Sequence, residues 1–212
     1  MNKYESTTIV NAIEYAWQAI QANHDDVPDV IVTMGAGATV RGLKLGHFAA
    51  KKWQKGETVL CELFVGGEGL ERGAKGVLGT LLHEAAHGVA HVRDIQDTSR
   101  QGRYHNAKFR DIANELGIAV DHVDLIGWSK TSLPDSTASV YTDEIGKLET
   151  ALVAFRKGVT IDDGGKPPVI KPRLKMVSLK CPTCERTAKM PEKFYSEGIL
   201  HCVECDEDYD KA

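Results

Sequence analysis

The sequence predicts an α+β fold: a small antiparallel sheet packed with a histidine-bearing helix and further helices, followed by a small four-cysteine unit. Three observations carry this. Residues 7–23, TTIVNAIEYAWQAIQAN, and residues 143–158, DEIGKLETALVAFRKG, repeat apolar side chains at helical spacing. Between them lie short β-branched runs, DVIVTMG and TVLCELFV, separated by glycine-rich turns. Near the end, CPTC and CVEC occupy a segment too short to fold on apolar burial alone.

Each element has a local cause. The first helix aligns Ile9, Ile13, Ala16, Trp17 and Ile20, and Ser6 or Thr7 is placed to cap it. After Pro28, DVIVTMG reads as a strand that the glycines of GAGATVRG end; LKLGHF and TVLCELFV are the next strand candidates. GGEGLERGAKG lacks Gly-Lys-Ser/Thr, which argues against a phosphate loop, and it leads into the helix carrying LLHEAAHGVAHV. The polar stretch RDIQDTSRQGRY connects to a helix beginning near His105, HNAKFRDIANELG, with Gly117 as a left-handed cap. DHVDLIGWSKTSLPDS receives no assignment. The last helix presents Ile145, Leu148, Leu152 and Phe155. The expected organisation is a main domain over 1–157, a proline- and glycine-rich linker over 158–175 containing VTIDDGGKPPVIKPR, and a ribbon over 176–212. There are no internal repeats.

Composition bounds the function. With 212 residues, 42% hydrophobic and 26% charged, the chain can bury one ordinary core and carry a small appendage. It has no run of about 18 apolar residues, and MNKYESTTIVNAIEYAW turns polar every few residues, so neither a membrane span nor a secretory signal is expected. The default compartment is the cytoplasm. A formal net charge of -4 argues against a chain that coats nucleic acid, but the average hides an asymmetry. Residues 166–193 hold eight basic side chains against Glu185 and Glu192, net +6, while the closing ECDEDYDKA is acidic.

LLHEAAHGVAHV contains His83-Glu84-Ala85-Ala86-His87, the H-E-x-x-H pattern. Its two histidines stand one helical turn apart, about 40° around the axis and about 6 Å along it, so both can reach one zinc ion. Glu84, on the edge of the same face, can take a proton from water acidified by the metal and return it to a leaving amine. That is the chemistry of amide-bond hydrolysis. Val77, Leu78, Leu81, Leu82, Ala85, Val89 and Val92 gather on the opposite side and would seat the helix in the core.

A catalytic zinc needs a third protein ligand and an open position. His91 lies about 12 Å along the axis from His83, too far for a shared ion. Gly88 and His91 do not supply the metzincin continuation. On the next helix, Glu115 projects away from the buried stripe, whereas His105 shares it with Phe109, Ile112, Ala113 and Leu116. His105 is therefore the expected third ligand. Arg100, Arg103 and Tyr104 stand between the two helices, and ordinary loop solvation accounts for them better than contact with substrate or a developing oxyanion would.

Cys181, Cys184, Cys202 and Cys205 form two Cys-x-x-Cys pairs separated by 17 residues, a spacing typical of a four-cysteine zinc site. Each pair follows a strand-like run, MVSLK and GILH. A metal there supplies the folding energy so short a segment lacks, and four protein ligands exclude water, so this zinc is structural. Cys61 stands alone.

LLHEAAHGVAHV followed by GRYHNAKFRDIANELG, with CELFVGGEGL before them, resembles the SprT-like (Spartan-related) zinc metallopeptidases over roughly residues 8–157. The resemblance implies a zincin-like minimal metalloprotease fold, His83, His87 and His105 as zinc ligands, and Glu84 as general base. It also implies a C-terminal zinc ribbon and protein substrates bound or crosslinked to DNA. In better-known members a glycine commonly follows the third histidine, whereas here Asn106 does. The expected function is thus a zinc-dependent endopeptidase with one catalytic and one structural Zn2+, its basic linker and ribbon offering DNA contacts. Phe194 and Tyr195 are the stacking groups in that basic region. The alternative is a non-catalytic zinc-containing adaptor for nucleic acid or protein.

Overall fold

The structure, a computed structural model, describes residues 4–39, 42–158, 175–196, 198 and 200–211. These fall into two compact units on either side of residues 159–174. The linker expected over 158–175 lies, but for its two end residues, outside the described residues.

The first unit runs α1 (Glu5–Asn23), β1 (Val30–Gly35), β2 (Ala38–Thr39), β3 (Gly42–Leu43), β4 (Gly46–Lys55), β5 (Thr58–Gly66), then a 3-10 turn over Gly67–Arg72 and α2 (Gly73–Val92). It continues through β6 (Thr98–Ser99), β7 (Tyr104–His105), α3 (Ala107–Glu115), β8 (Ala119–Val123), β9 (Gly127–Ser132), α4 (Asp135–Val140) and α5 (Thr142–Ala151). The α+β class is as expected. The main sheet, ordered β1-β5-β4, is mixed where an antiparallel one was expected. β4 and β5 form a hairpin, and β5 inserts between β4 and β1, which places it parallel to β1 from Val30↔Cys61 to Gly35↔Gly66. Parallel pairing depends on a crossover that short-range patterns do not encode.

Period-two burial orients β5: Cys61, Leu63 and Val65 turn inward toward the helices. α1 supplies Ile9, Ile13, Ala16, Trp17 and Ile20 to this core, and the Trp17 indole N–H donates to Pro28 O at 3.0 Å. Its N-cap is Tyr4, with no side-chain cap bond, so neither Ser6 nor Thr7 caps it; Glu5 in the first turn complements the dipole instead. α2 is the central helix. Leu78, Leu81, Leu82, Ala85 and Ala86 are wholly buried, while Val92 at its end is exposed. Among the described residues no helix is long and apolar enough to cross a membrane.

A second sheet, β6-β7-β9-β8, flanks the histidine face of α2. It includes most of the stretch left unassigned from sequence, since β8 and β9 form an antiparallel hairpin over Ala119–Ser132. β4 is longer than LKLGHF suggested, beginning at Gly46. α5 ends at Ala151, and Phe155 is exposed rather than part of the apolar stripe. The helix stops because the following chain is held elsewhere: Arg156 N–H donates to Gly67 O at 3.0 Å, and its guanidinium meets Glu68 Oε1 at 2.5 Å.

Glu68 is buried and also accepts from the Gly37 and Ala38 amides at 2.7 and 3.3 Å. The Gly37 amide first, with Arg156 and Ala38 adding to it against burial, brings its carboxyl from 4.5 to about 2. A depressed carboxylate stabilises the fold fully above its unfolded pKa, and that contribution disappears as pH falls through the folded value. Thermal unfolding of wild type and Glu68→Gln should therefore differ most above pH 4.5 and converge as pH approaches 2. Parallel pH profiles would remove Glu68 from the account.

The second unit holds β10 (Met176–Lys180), β11 (Thr187–Pro191), β12 (His201–Cys202), β13 (Glu207–Asp208) and β14 (Asp210–Lys211), in small antiparallel sheets ordered β11-β10-β14 and β12-β13. MVSLK forms β10 as expected, whereas among the described residues of GILH, Gly198, Leu200 and His201, only His201 is in a strand.

Candidate metal centres

α2 presents His83 and His87 on one face, ring centroids 5.1 Å apart. His105 reaches them from β7, its ring 5.2 Å from His83 and 5.0 Å from His87. The three imidazoles each offer a nitrogen, and these atoms lie within 4.8 Å of one another. Phe109 floors the cluster, with its ring 4.8, 4.7 and 4.5 Å from His83, His87 and His105.

His105 is not on a helix. α3 starts at Ala107, so the angular argument that placed His105 on its buried stripe does not describe how the residue is held. β7 holds it instead: the His105 N–H donates to Ile126 O at 3.0 Å, and the residue bridges in parallel to Gly127. Gly127 has φ +72, and a Cβ there would fall on the His105 carbonyl oxygen, so glycine is what allows β9 to approach. Asn106 caps α3, its Oδ1 accepting from the Lys108 and Phe109 amides at 2.8 and 3.3 Å, while its Nδ2 donates to Gln96 O at 2.9 Å. With φ -91 it occupies ordinary extended backbone, so nothing at this position requires glycine.

Outer partners set the rings. His87 Nδ1 donates to Asp97 Oδ2 at 2.5 Å, and His83 Nδ1 lies 3.3 Å from Thr131 Oγ1. Both rings thereby turn Nε2 toward the shared space, as metal-bound histidines do. Nε2 of His87 and Nε2 of His105 are 3.2 Å apart, and His105 Nδ1 is buried with no hydrogen-bond partner. Two nitrogens on a tetrahedral zinc at about 2.05 Å stand about 3.3 Å apart, so the residues present fit that ion.

Electrostatics agree with this fit at two of the three rings. Burial, then the charge of His87, holds His105 down at about 4; burial and both neighbouring histidines hold His83 well below its ordinary value. These two rings are neutral lone-pair donors at neutral pH. Burial also works against a charged His87, but the Asp97 hydrogen bond, with Glu84 and Asp97 nearby, raises it overall.

Glu84 is buried, and burial pushes its carboxyl up despite His87 and a hydrogen bond from the Phe48 amide at 2.7 Å. That bond requires β4 to lie close on α2. A Cβ at Gly46 would stand 2.7 Å from Thr80 Cγ2 and 2.8 Å from Glu84 Oε1, so only glycine fits. Glu84, His83 and His105 line two adjoining cavities of about 1070 and 670 Å3.

The remaining histidine of the motif stretch stays apart: His91 is exposed, its ring 6.1 Å from that of Phe48. Glu115 is engaged elsewhere, both carboxylate oxygens accepting from Arg93 at 2.7 Å. Arg100 stacks over Tyr104 at 5.0 Å, and Arg103 lines the larger cavity. Sequence reasoning missed Asp97, Thr131, Gly46 and Gly127. Asp97 carried a usable signal, as a carboxylate just past a histidine-bearing helix; Thr131 carried none.

In the second unit the four cysteines each offer a sulfur, all within 4.8 Å of one another. Cys184 Sγ and Cys202 Sγ are 3.7 Å apart, far beyond a disulfide and close to the edge of about 3.8 Å that zinc–sulfur bonds of about 2.3 Å generate in a tetrahedron. The two knuckles repeat one design. Glu185 N–H donates to Cys181 O at 3.1 Å and Asp206 N–H to Cys202 O at 2.9 Å, and both donors have positive φ, 60° and 54°. Lys175, Lys180 and Arg186 are ion-paired with Glu192, Glu185 and Glu204 at 2.9, 2.7 and 2.5 Å. Lys171 and Arg173 lie outside the described residues. Cys61 is buried in β5.

Comparisons with protein families, with curated proteins and with solved structures find no match to this chain.

Proposed function

We propose that the chain is a zinc-dependent endopeptidase of the SprT-like kind, in which His83, His87 and His105 hold a catalytic zinc and Glu84 is the general base. Cys181, Cys184, Cys202 and Cys205 hold a second, structural zinc. The observation that carries this reading is the convergence of three imidazoles and one buried carboxyl on a cleft open to two cavities. A structural site would be closed by a fourth protein ligand, as the cysteine cluster is.

Zinc bound to the three histidines supplies Lewis acidity for a peptide carbonyl and for water. Glu84 does the proton work: its raised pKa suits a group that takes a proton from the attacking water and passes it to the departing amine. The Phe48 amide fixes one of its oxygens, leaving the other to act. Asp97 and Thr131 hold the imidazole planes. β4 is an outer strand of its sheet and lines the cleft through Gly46, His47, Phe48 and Ala50, an edge along which an extended substrate can lie. The net +6 stretch over 166–193 supports substrates bound or crosslinked to DNA.

Zinc-loaded protein is expected to cut a protein substrate or itself, with loss of cutting in a chelator and recovery on adding zinc. Absence of cleavage at any zinc level, with and without single-stranded DNA, would favour the adaptor reading.

A further inference from the structure

Beyond the imidazoles the cleft continues as the cavity of about 670 Å3, walled by residues 43–46, the first turns of α2 and residues 129–133. Its charge is one-sided. Lys44, Arg72, Lys75 and Lys130 line it, and among the described residues Glu84 is the one carboxylate that does. The larger cavity is balanced, with Lys44 and Arg103 against Glu84 and Asp97.

The four cations are weakly engaged. Lys75 meets Asp135 at 3.4 Å and Lys130 meets Asp121 at 3.2 Å, all with side chains at least 62% exposed. Exposed pairs of this kind exchange readily for a better partner. Arg72 gives one N–H to Thr80 Oγ1 at 3.1 Å, and neither Arg72 nor Lys44 has an ion pair among the described residues. Arg72 reaches Thr80, one turn before Glu84 on α2, and the charge of Lys44 acts on the Glu84 carboxyl itself.

We propose that this half of the cleft selects an acidic side chain next to the bond being cut, with Arg72 and Lys44 as its pairing groups. The inference rests on the peptidase reading and names its substrate preference. A peptide suits the cavity better than a nucleic acid because a strand edge forms one of its walls, residues 129–132 of β9. Among the described residues β9 bridges β7 at Gly127 alone and pairs only with β8 over Lys130–Ser132. Ser129 Oγ, buried in the same wall, has no hydrogen-bond partner. Strand edges present carbonyl acceptors that a peptide's N–H groups satisfy, and a phosphodiester chain has none to give.

The test uses zinc-loaded full-length protein and quenched peptides carrying Glu, Gln or Lys at each residue flanking the scissile bond. At one position Glu should exceed Gln by about 10-fold in kcat/KM, the factor one additional charge-assisted contact supplies, and Lys should be worst. Lys44→Glu with Arg72→Glu should reverse the order. Binding gives a second readout: the Glu peptide should bind Glu84→Gln protein more tightly than the Gln peptide, with an affinity that falls with salt and is lost in the charge-reversed background. Cleavage without acidic preference, unchanged by the two reversals, overturns the inference and leaves the peptidase standing. No cleavage, with the binding preference intact, removes the peptidase and keeps the acidic site. A ten-nucleotide single strand binding more tightly than the Glu peptide, and weakened by the same reversals, makes the cavity a phosphate groove and overturns the inference.

Discussion

Glu84→Gln is expected to cut cleavage by about 10²- to 10⁴-fold while leaving two zinc ions bound per chain. Glutamine keeps the volume of glutamate and a carbonyl oxygen to accept the Phe48 amide, which lies 2.7 Å from the wild-type carboxylate, so the close approach of β4 to α2 survives. It loses the ability to take a proton. A positioned general base contributes about 10²- to 10⁴-fold, so kcat/KM should fall by that factor with zinc content unchanged. The comparison of wild type and variant needs two measurements on one sample, zinc by elemental analysis and cleavage of a protein or peptide. Equal cleavage by both proteins would take Glu84 out of the chemistry.

His105→Ala should reduce bound zinc from two per chain to one. It leaves His83 and His87 as the only protein ligands of the first centre, and two imidazoles hold zinc far less tightly than three. The cysteine centre shares no residue with the first, so its ion should remain. Glu115→Ala is the matched control: its carboxylate serves Arg93 at 2.7 Å, and zinc should stay at two while stability falls. The opposite pattern, two ions in His105→Ala and one in Glu115→Ala, would reassign the third ligand. Asp97→Asn should fall between, keeping zinc but binding it about 10- to 100-fold more weakly, since the carboxylate that orients His87 is replaced by an amide.

How much of this was legible in the sequence depended on range. His83, Glu84 and His87 could be related to one another because a helix converts spacing into direction, and α2 spans them as expected. The buried stripe of α1 was readable for the same reason. His105 was selected on helical geometry, and the structure does bring it to His83 and His87, but from β7. What holds it there, Gly127 and the Ile126 carbonyl, lies more than 20 residues on, beyond any periodicity. The parallel pairing of β1 with β5 failed to register for a similar reason: β-branched runs announce strands without announcing partners. Leu152 and Phe155 continued a helical pattern that tertiary bonds from Arg156 cut short.

The way His105 is held has a consequence for the durability of the first centre. Its ligands draw support from α2, β7 and β9: Thr131 meets His83, Asp97 meets His87, and the Ile126 carbonyl and Gly127 place His105. A fragment ending at Gly117 would contain H-E-x-x-H and His105 and still lack what aims two of the three rings. The motif is therefore not a portable binding module. Resistance to chelators of a zinc held here should track the global stability of the first unit, whereas an ion held by the cysteines, between two local knuckles, should answer only to its own short segment.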